Sequence, residues 1–381
     1  MTQFDLSRRS LIGGALAVAG AAHVPDAFAS TAQPPLQRPA KPLVIGHRGA
    51  PALRPEHTLA SYARAIADGA DFIEPDLVAT KDGVLIARHE NNIAETTDVA
   101  ARPQFADRKA TKAIDGETIT GWFTEDFTLA EIKSLRAKER LGTQRPESHS
   151  FDGQFQVVTL EEVADFTAAE AAARGRAIGL IPEIKHSTYF EGIGLPLEQR
   201  LLDRITASTY MQTAPVIIQS FEVSNLKWLR ERLTGQTNVQ LMQLTVPAAV
   251  RPADLADKGT GPTYKDMHTP RGLADMAAYA DWISPNDLAL LPRDKDDNLS
   301  STPTGLIGNA HLAGLLVCSW TFRPENHFLP ANLRDGDGDG ARNPQGSMAE
   351  IRAYLDAGLD AFFTDDPAIG REAVNGWHHA S

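Results

Sequence analysis

The sequence predicts an α/β fold, a TIM-type (β/α)8 barrel with a small insertion after its second strand region. Short, almost uniformly apolar runs such as VIIQS and LLVCSW are typical of strands buried on both faces. These runs alternate with segments whose apolar residues recur at helical spacing. The alternation repeats eight times, and 381 residues suffice for one large barrel with an insertion.

Eight strands and eight helices follow from this pattern. The expected strands are 43–46, 71–77, 178–184, 215–220, 239–244, 281–284, 315–321 and 360–364. The expected helices are 58–67, 160–174, 196–207, 222–233, 271–279, 303–313, 348–357 and 367–375. Residues 90–155 do not fit the repeat and are interpreted as an insertion. It contains GETITG, a small strand or turn, followed by an amphipathic helix.

The N-terminus has the pattern of a bacterial export signal of the twin-arginine type. Arg8 and Arg9 precede a weakly apolar run at 11–22, and Ala27-Phe28-Ala29 is a small-x-small cleavage site. We therefore expect a signal at 1–29, a Pro-rich linker at 30–42 and the barrel at 43–375, exported to the periplasm. An uncleaved membrane anchor is the alternative, but the apolar run is short and rich in Gly and Ala.

Composition narrows the possible partners. The formal net charge is -12, which argues against binding to nucleic acid and to anionic membranes, although a local cationic pocket for a small anion is compatible with it. We expect no stable membrane association after signal cleavage. The single cysteine, Cys318, excludes an internal disulfide. The oligomeric state is not predicted.

Carboxylates follow the second and third expected strands. Active-site residues of a parallel barrel lie at the carboxyl ends of its strands, so these groups should meet at one mouth. Three carboxylates repel one another unless a cation neutralises them or they take up protons, and an oxygen-only ligand set favours Ca²⁺ or Mg²⁺. One divalent cation is therefore expected at Glu74, Asp76 and Glu183, with salt bridges at the rim as the alternative.

Cations and histidines flank these carboxylates. Arg48 and Lys185 could bind a phosphate, or could instead pair with the carboxylates. His47 and His89 each follow a strand-like run beside a charged neighbour. Because histidine titrates near neutral pH, the pair can divide the base and acid roles.

Five motifs together resemble the glycerophosphodiester phosphodiesterases: HRGA…PEHT, EPDLVATKDGVLIARHE, PEIK, QSFE and FFTDDP. They occur in the family's order and span the chain from Leu43 to about Pro367. The resemblance is nearest to exported bacterial members. It implies a TIM barrel with an insertion after the second histidine, and hydrolysis of glycerophosphodiesters. It does not fix the metal.

The resemblance also implies roles for individual residues. It places acid/base catalysis on two histidines, metal binding on three carboxylates and phosphate contacts on Arg48 and Lys185. We expect Glu56 to hold Arg48, and Trp320 and Phe322 to wall the alcohol pocket unless they pack in the barrel. The resemblance implies that His47 and His89 are the catalytic pair and that Glu74, Asp76 and Glu183 are the metal ligands, and we expect His47 to act as base and His89 as acid.

Two features depart from this pattern. Glu90 stands where many family members have Asp, so its effect on the orientation of His89 is open. Asp335, Asp337 and Asp339 copy the start of an EF-hand loop, but Gly346 occupies the twelfth position. A flexible acidic insertion is favoured over weak calcium binding.

Three functions are compared. The leading hypothesis is metal-dependent hydrolysis of glycerophosphodiesters, such as glycerophosphocholine, to glycerol 3-phosphate and an alcohol. A phospholipase of C or D type acting on intact lipids is the second, and would need an exposed apolar rim, for which Trp122, Phe123 and Phe127 are candidates. A non-catalytic periplasmic binding protein is the third, and would require loss of site residues.

Overall fold

Eight parallel strand positions close into a barrel, as predicted. The computed structural model describes residues 36–378. The export signal predicted for residues 1–29 lies outside the described residues, as does the start of the predicted linker. The strands are β1 (Leu43–Gly46), β2 (Phe72–Ile73), β3 (Asp76–Ala79), β4 (Leu85–Ala87), β5 (Ala110–Ile114), β6 (Glu117–Gly121), β7 (Gly179–Leu180), β8 (Glu183–Ile184), β9 (Val216–Ser220), β10 (Val239–Thr245), β11 (Trp282–Pro285), β12 (Leu316–Phe322) and β13 (Ala361–Thr364).

Closure comes from β1, which pairs in parallel with both β2 and β13. The second barrel position consists of β2 and β3, and the third consists of β7 and β8. Each is interrupted near a proline, Pro75 and Pro182, which has no backbone N–H to donate. The sequence predicted each of these as one unbroken strand, so the interruptions are a correction. Strands β9 to β13 supply the remaining five positions.

Helices surround the barrel. They are α1 (Leu59–Ala67), α2 (Leu129–Ser134), α3 (Pro146–His149), α4 (Leu160–Arg174), α5 (Ser187–Gly192), α6 (Leu197–Ala207), α7 (Ser224–Arg232), α8 (Ala253–Asp257), α9 (Tyr264–Met267), α10 (Pro270–Ala277), α11 (Leu306–Leu312), α12 (Pro344–Asp356) and α13 (Pro367–Asn375). Local chemistry sets their ends. A capping box between Thr159 and Glu162 begins α4, and Gly175 at φ +63° ends it in the left-handed conformation.

The apolar side chains form two groups. A large cluster fills the space between the sheet and the helices, where strand residues such as Val44 pack with helix residues such as Ile66. A smaller cluster fills the barrel interior and includes Ile45, Met242 and the buried Cys318. The interior is therefore packed, as in other (β/α)8 barrels, whose active sites lie at the carboxyl ends of the strands.

Strand register brings the polar residues together. Asp76 of β3 is opposite Glu183 of β8, and Glu183 is opposite Gln219 of β9. Gly46 at the end of β1 is paired with strand residues on both sides. A Cβ at Gly46 would lie 2.7 Å from the Gly49 carbonyl oxygen, so the turn that carries the next two residues requires glycine there.

Residues 90–155 lie between β4 and α4. They contain the antiparallel hairpin of β5 and β6, which includes the GETITG segment, and helices α2 and α3. Three large aromatic side chains of this segment, Trp122, Phe123 and Phe127, are all buried. Over residues 36–378, no helix combines the length and apolar character that a bilayer crossing requires.

Candidate active site

A cavity of about 380 Å³ opens at the carboxyl ends of the strands. Seven of the nine predicted site residues line it, and the other two, Asp76 and Lys185, contact residues that do. The seven are His47, Arg48, Glu56, Glu74, His89, Glu183 and Trp320.

Three buried carboxylates converge beside this cavity, and two of them, Glu74 and Glu183, line it. Glu74, Asp76 and Glu183 each place an oxygen so that all three oxygens lie within 4.8 Å of one another. Among residues 36–378, these three carboxylates are the group of at least three His, Cys, Asp or Glu side chains whose ligand atoms lie this close together. Asp76 Oδ1 is buried without a hydrogen-bond partner, although a buried carboxylate oxygen normally has one. The oxygen-only set and the unpaired oxygen fit a hard divalent cation.

The pKa values show how strained this cluster is without a counter-charge. Burial, followed by the charges of Asp76 and Glu183, raises the pKa of Glu74 well above its ordinary value. Burial likewise raises the pKa of Glu183 to about 7, against the opposing effect of Lys185. Burial would also raise the pKa of Asp76, but His57 and the nearby cations hold it below its ordinary range. A bound cation would relieve the repulsion among the three groups.

Arg48 lies beside the cluster in the left-handed conformation, at φ +56°. Its backbone N–H donates to Glu74 Oε2 at 3.0 Å, and its Nη1 donates to Glu56 Oε2 at 3.0 Å. Glu56 also accepts from Arg140 Nη2 at 2.5 Å. The Nε atom of Arg48 is buried without a hydrogen bond, 3.6 Å from Asp76 Oδ2. The guanidinium is thus held in place by Glu56 while part of its donor capacity is unused.

His47 is fixed by a carboxylate from the last strand position. Its Nδ1 lies 2.5 Å from Asp365 Oδ1, and its Nε2 lies 3.9 Å from Glu74 Oε2. Burial would raise the pKa of Asp365, but Arg145 and His47 keep it below its ordinary range. An ionised carboxylate only accepts, so His47 carries its proton on Nδ1 and leaves Nε2 free. Burial and Arg48 lower the pKa of His47 to about 4, so the ring is neutral.

His89 approaches the cluster through Lys185. Its Nε2 lies 3.3 Å from Lys185 Nζ, and its Nδ1 lies 2.6 Å from Glu90 Oε1. Lys185 Nζ also forms an ion pair with Glu183 Oε1 at 3.0 Å. Burial, followed by Arg48 and Lys185, lowers the pKa of His89 well below its ordinary value. Without substrate, His89 is therefore neutral and accepts from Lys185 at Nε2.

Aromatic side chains form the apolar wall of the cavity. Trp320 meets Phe221 edge to face, with ring centroids 5.7 Å apart, and donates from Nε1 to the Ser284 carbonyl at 3.0 Å. The prediction that Phe322 also walls the pocket is wrong. Its side chain is fully buried and packs on Tyr354. In a regular strand, side chains two positions apart lie on the same face, so Phe322 would be expected on the face of Trp320. The pairing of β12 with β13 is irregular between Ser319 and Phe322, so this expectation does not hold here.

The acidic loop that follows β12 forms no comparable cluster. Asp335 accepts from Asn326 Nδ2 at 2.6 Å, and its carboxylate also caps the Asp337 backbone N–H. Asp335, Asp337 and Asp339 are not among the described residues whose ligand atoms converge. The loop therefore offers no calcium cage of the kind that the EF-hand comparison required.

Comparison with known proteins decides the family. The model of the glycerophosphoryl diester phosphodiesterase family matches residues 47–369, which include every predicted site residue. The chain belongs to this family. It is therefore a phosphoric diester hydrolase with glycerophosphodiester phosphodiesterase activity, as the sequence motifs predicted.

Curated relatives of this family match over most of their length. The chain is 31% identical to a glycerophosphodiester phosphodiesterase of Arabidopsis thaliana, an alignment that covers 87% of this chain and 85% of the relative. It is 29% identical to one of Haemophilus influenzae, covering 84% of this chain and 89% of the relative.

Solved structures agree on the fold. An Oleispira antarctica phosphodiesterase in complex with the product sn-glycerol-3-phosphate matches with a TM-score of 0.53 at 17% identity, covering 88% of this chain and 98% of that chain. A glycerophosphodiester phosphodiesterase from Agrobacterium tumefaciens matches with a TM-score of 0.51 at 15% identity, covering 86% of this chain and 98% of that chain. Both likenesses support the TIM barrel.

Several residues that shape this family member's site were not singled out from the sequence. His57 Nε2 donates to Asp76 Oδ2 at 3.0 Å, and its position inside the PEHT motif was the only available signal. Arg140 and Arg145 come from the insertion, far along the chain from their partners Glu56 and Asp365. No local pattern marks such residues, because long-range ion pairs depend on the folded topology.

Proposed function

We propose that the chain catalyses metal-dependent hydrolysis of glycerophosphodiesters such as glycerophosphocholine, to glycerol 3-phosphate and an alcohol, by histidine acid/base catalysis. The observation that supports this most strongly is the grouping of three buried carboxylates, of which Glu74 and Glu183 line the same cavity as His47 and His89. A general acid and a general base on opposite sides of an electrophilic centre suit displacement at phosphorus.

One divalent cation, Ca²⁺ or Mg²⁺, is proposed at Glu74, Asp76 and Glu183. When bound, it would polarise the phosphoryl oxygens and stabilise the charge that develops on them. The residues themselves supply a reason for binding, since burial and mutual repulsion raise the pKa of Glu74 and Glu183, and a bound cation would oppose both effects.

Arg48 and Lys185 are proposed to bind the phosphate. Arg48 has an unpaired buried Nε atom, and the Lys185 ammonium is adjacent to both Glu183 and His89. Glu56 fixes the opposite edge of the Arg48 guanidinium, so the fork is positioned before substrate arrives. Trp320 supplies apolar surface for the alcohol part of the substrate.

His47 is proposed as the general base. It is neutral, its Nδ1 proton is held by Asp365 and its free Nε2 faces the carboxylate cluster. It can therefore take the proton of the nucleophilic hydroxyl. That hydroxyl belongs either to water or to the neighbouring glycerol carbon of the substrate, which would give a cyclic phosphate that water then opens.

His89 is proposed as the general acid, which protonates the alkoxide as the P–O bond breaks. Its low pKa in the substrate-free site comes from burial and from Arg48 and Lys185. A diester brings a negative charge that offsets these two cations, which would raise the pKa of His89 as the substrate binds. The proton taken by His47 and the proton given by His89 balance the overall hydrolysis.

Export to the periplasm through a twin-arginine signal, followed by release as the mature chain, belongs to the same proposal. A soluble diester suits this chain better than an intact lipid. Trp122, Phe123 and Phe127 are buried, so they do not provide the exposed apolar rim that a lipid substrate would need. None of the site residues is lost, which disfavours a purely binding role.

The test follows glycerophosphocholine by phosphorus NMR with the mature protein, first after chelation and then after addition of Ca²⁺ or Mg²⁺. We expect glycerol 3-phosphate to form only with a divalent ion, and Glu74→Ala to abolish this turnover while circular dichroism shows an intact fold. Turnover that persists after exhaustive chelation would contradict the metal assignment. Absence of turnover with either ion would contradict the choice of substrate.

A further inference from the structure

Four side chains form a continuous line from the cavity to the insertion. His89 Nδ1 lies 2.6 Å from Glu90 Oε1. The second oxygen of Glu90, Oε2, lies 3.3 Å from His186 Nε2. The other ring nitrogen of His186, Nδ1, lies 2.6 Å from Asp115 Oδ2. The two middle members of the line, the Glu90 carboxylate and the His186 imidazole, thus each contact a partner on both sides.

Three separate parts of the chain supply this line. Glu90 follows β4, and His186 follows β8 in the left-handed conformation at φ +51°. Asp115 is at the turn of the β5–β6 hairpin, also left-handed at φ +50°. Both non-glycine residues adopt a backbone conformation that L-residues rarely take, and both place their side chains into the same contact.

We propose that Glu90, His186 and Asp115 are positioning residues for His89, and that the insertion hairpin completes the active site through Asp115. The proposal rests on the proposed role of His89 as general acid. It assigns the hairpin a part in catalysis that neither the family match nor the barrel fold supplies.

The length of Glu90 is the first argument. Its two carboxylate oxygens contact two different imidazoles, His89 and His186, so the side chain bridges them. An aspartate at this position is one methylene shorter and could not reach both rings from the same backbone position. The length of Glu90, the residue that departs from the family pattern, therefore suits a contact with His186 as well as with His89.

The charges along the line are the second argument. Glu90 and Asp115 flank His186, so a charged imidazole there is compensated on both sides. Burial would lower the pKa of His186, but its hydrogen bonds to Asp115 and Glu90 raise the pKa to about 9. Glu90, held by His186, keeps its Oε1 2.6 Å from His89 Nδ1, which leaves His89 Nε2 directed at Lys185 and the cavity.

This arrangement has the logic of a catalytic triad, in which a carboxylate fixes the tautomer and orientation of a histidine. The difference is that the carboxylate is itself partly exposed, with 39% of the Glu90 side chain accessible. An exposed carboxylate has freedom to turn toward solvent. His186 contacts the Glu90 oxygen that faces away from His89, and Asp115 holds His186 in place, so together they restrict the Glu90 carboxylate.

The experiment compares His186→Gln, Asp115→Asn and Glu90→Asp with wild type, using Glu117→Gln in the same hairpin as the matched control. Glu117 is exposed and lies outside the line of contacts. For glycerophosphocholine with saturating divalent ion, we expect each of the three variants to lower kcat about 10-fold or more with little change in KM, as misorientation of an acid requires. Glu117→Gln should equal wild type.

Two readouts separate positioning from a general structural effect. On a glycerophospho-p-nitrophenyl diester, whose p-nitrophenolate leaves without a proton, the variants should lose less than about threefold because the acid is not needed. In a His89→Ala background, His186→Gln should cause no further loss, since the two residues act through one group.

Equal losses on both diesters, or additive losses with His89→Ala, would overturn the proposal. So would wild-type kcat in both Asp115→Asn and His186→Gln. If His89→Ala itself keeps full activity on glycerophosphocholine, the proposed acid is wrong and the failure lies with the proposed function. Asp115 is on an exposed turn, so Asp115→Asn keeps the test valid even if His186→Gln folds poorly.

Discussion

The two histidines occupy unlike surroundings. The His47 side chain is 9% exposed and its partner Asp365 is 2% exposed, whereas His89 is 24% exposed and Glu90 is 39% exposed. His47 is held entirely by residues that end barrel strands, together with Arg145 behind Asp365. His89 depends on a turn after β4 and on contacts with the insertion.

The difference suggests a division of labour. The base side of the site is built into the barrel and is rigid because its charges are buried and paired. The acid side is assembled from loops, which makes it more adjustable to different leaving alcohols. A base that acts on the same kind of hydroxyl each time needs one geometry, whereas an acid must meet alcohols of different size.

The largest expected effect comes from neutralising a carboxylate of the proposed metal site, which the base side and the acid side share. In Glu183→Gln, one of three ligand carboxylates becomes neutral, and the divalent ion should no longer bind with useful affinity. A cation bound at the proposed site would contribute several kcal/mol to transition-state stabilisation, so kcat/KM should fall by at least about 10³-fold. Titration calorimetry with Ca²⁺ and Mg²⁺ should show loss of ion uptake. Normal ion binding in this variant would contradict the assignment of Glu183 as a ligand.

The next effect breaks the base side alone. Asp365→Asn removes the charge that fixes His47 and leaves Arg145 and Arg323 without their shared carboxylate. We expect a fall in kcat of about 10²-fold or more, because His47 loses its defined tautomer. Loss of a partner from a buried ion pair should also cost about 3 kcal/mol of unfolding free energy. Urea denaturation and initial rates measure the two losses, and ion binding serves as the control because it should be retained.

The acid side should tolerate more. His89→Ala should lower kcat on glycerophosphocholine by about 10²-fold, keep the divalent ion and leave stability nearly unchanged, because the side chain is partly exposed. Calorimetry and thermal denaturation check the second and third expectations. Loss of ion binding in His89→Ala would contradict the claim that His89 can be removed without disturbing the rest of the site.

The smallest expected effect concerns stability and pH. His186 has a folded pKa of about 9 against an ordinary 6.5, so the folded state binds its proton more tightly than the unfolded state. Its contribution is fully present below about pH 6.5 and is lost as the pH rises to about 9. Because Asp115 is partly exposed, we expect only about 1 kcal/mol. Unfolding free energies at pH 6 and pH 9.5 for wild type and His186→Gln measure this contribution. An equal pH dependence in both proteins would contradict it.

The barrel was predictable because its strands are buried on both faces and read as apolar runs, such as the run that became β9. The strand-end positions of His47, Glu74 and Glu183 followed from the same rule about barrel mouths. The breaks near Pro75 and Pro182 were harder to predict. A proline inside an apolar run does not indicate whether the strand is interrupted there or continues with one hydrogen bond fewer to its neighbour.

What the sequence did not indicate is how the site is supported. Asp115 and His186 are separated by 71 residues and meet only because the insertion folds back over the mouth. Phe322 was misplaced because the irregular pairing of β12 changes which side chains share a face. Local patterns specify which residues end strands, whereas the contacts between loops depend on tertiary topology.

The most direct test of this division between a base side and an acid side compares His47→Ala and His89→Ala on two diesters, glycerophosphocholine and the glycerophospho-p-nitrophenyl diester, at saturating divalent ion. We predict that His47→Ala loses about 10²-fold or more on both substrates, since the nucleophile must lose a proton in either case. His89→Ala should lose activity on glycerophosphocholine and recover most of it on the p-nitrophenyl diester. The reverse pattern, or equal losses for both variants on both substrates, would contradict the account.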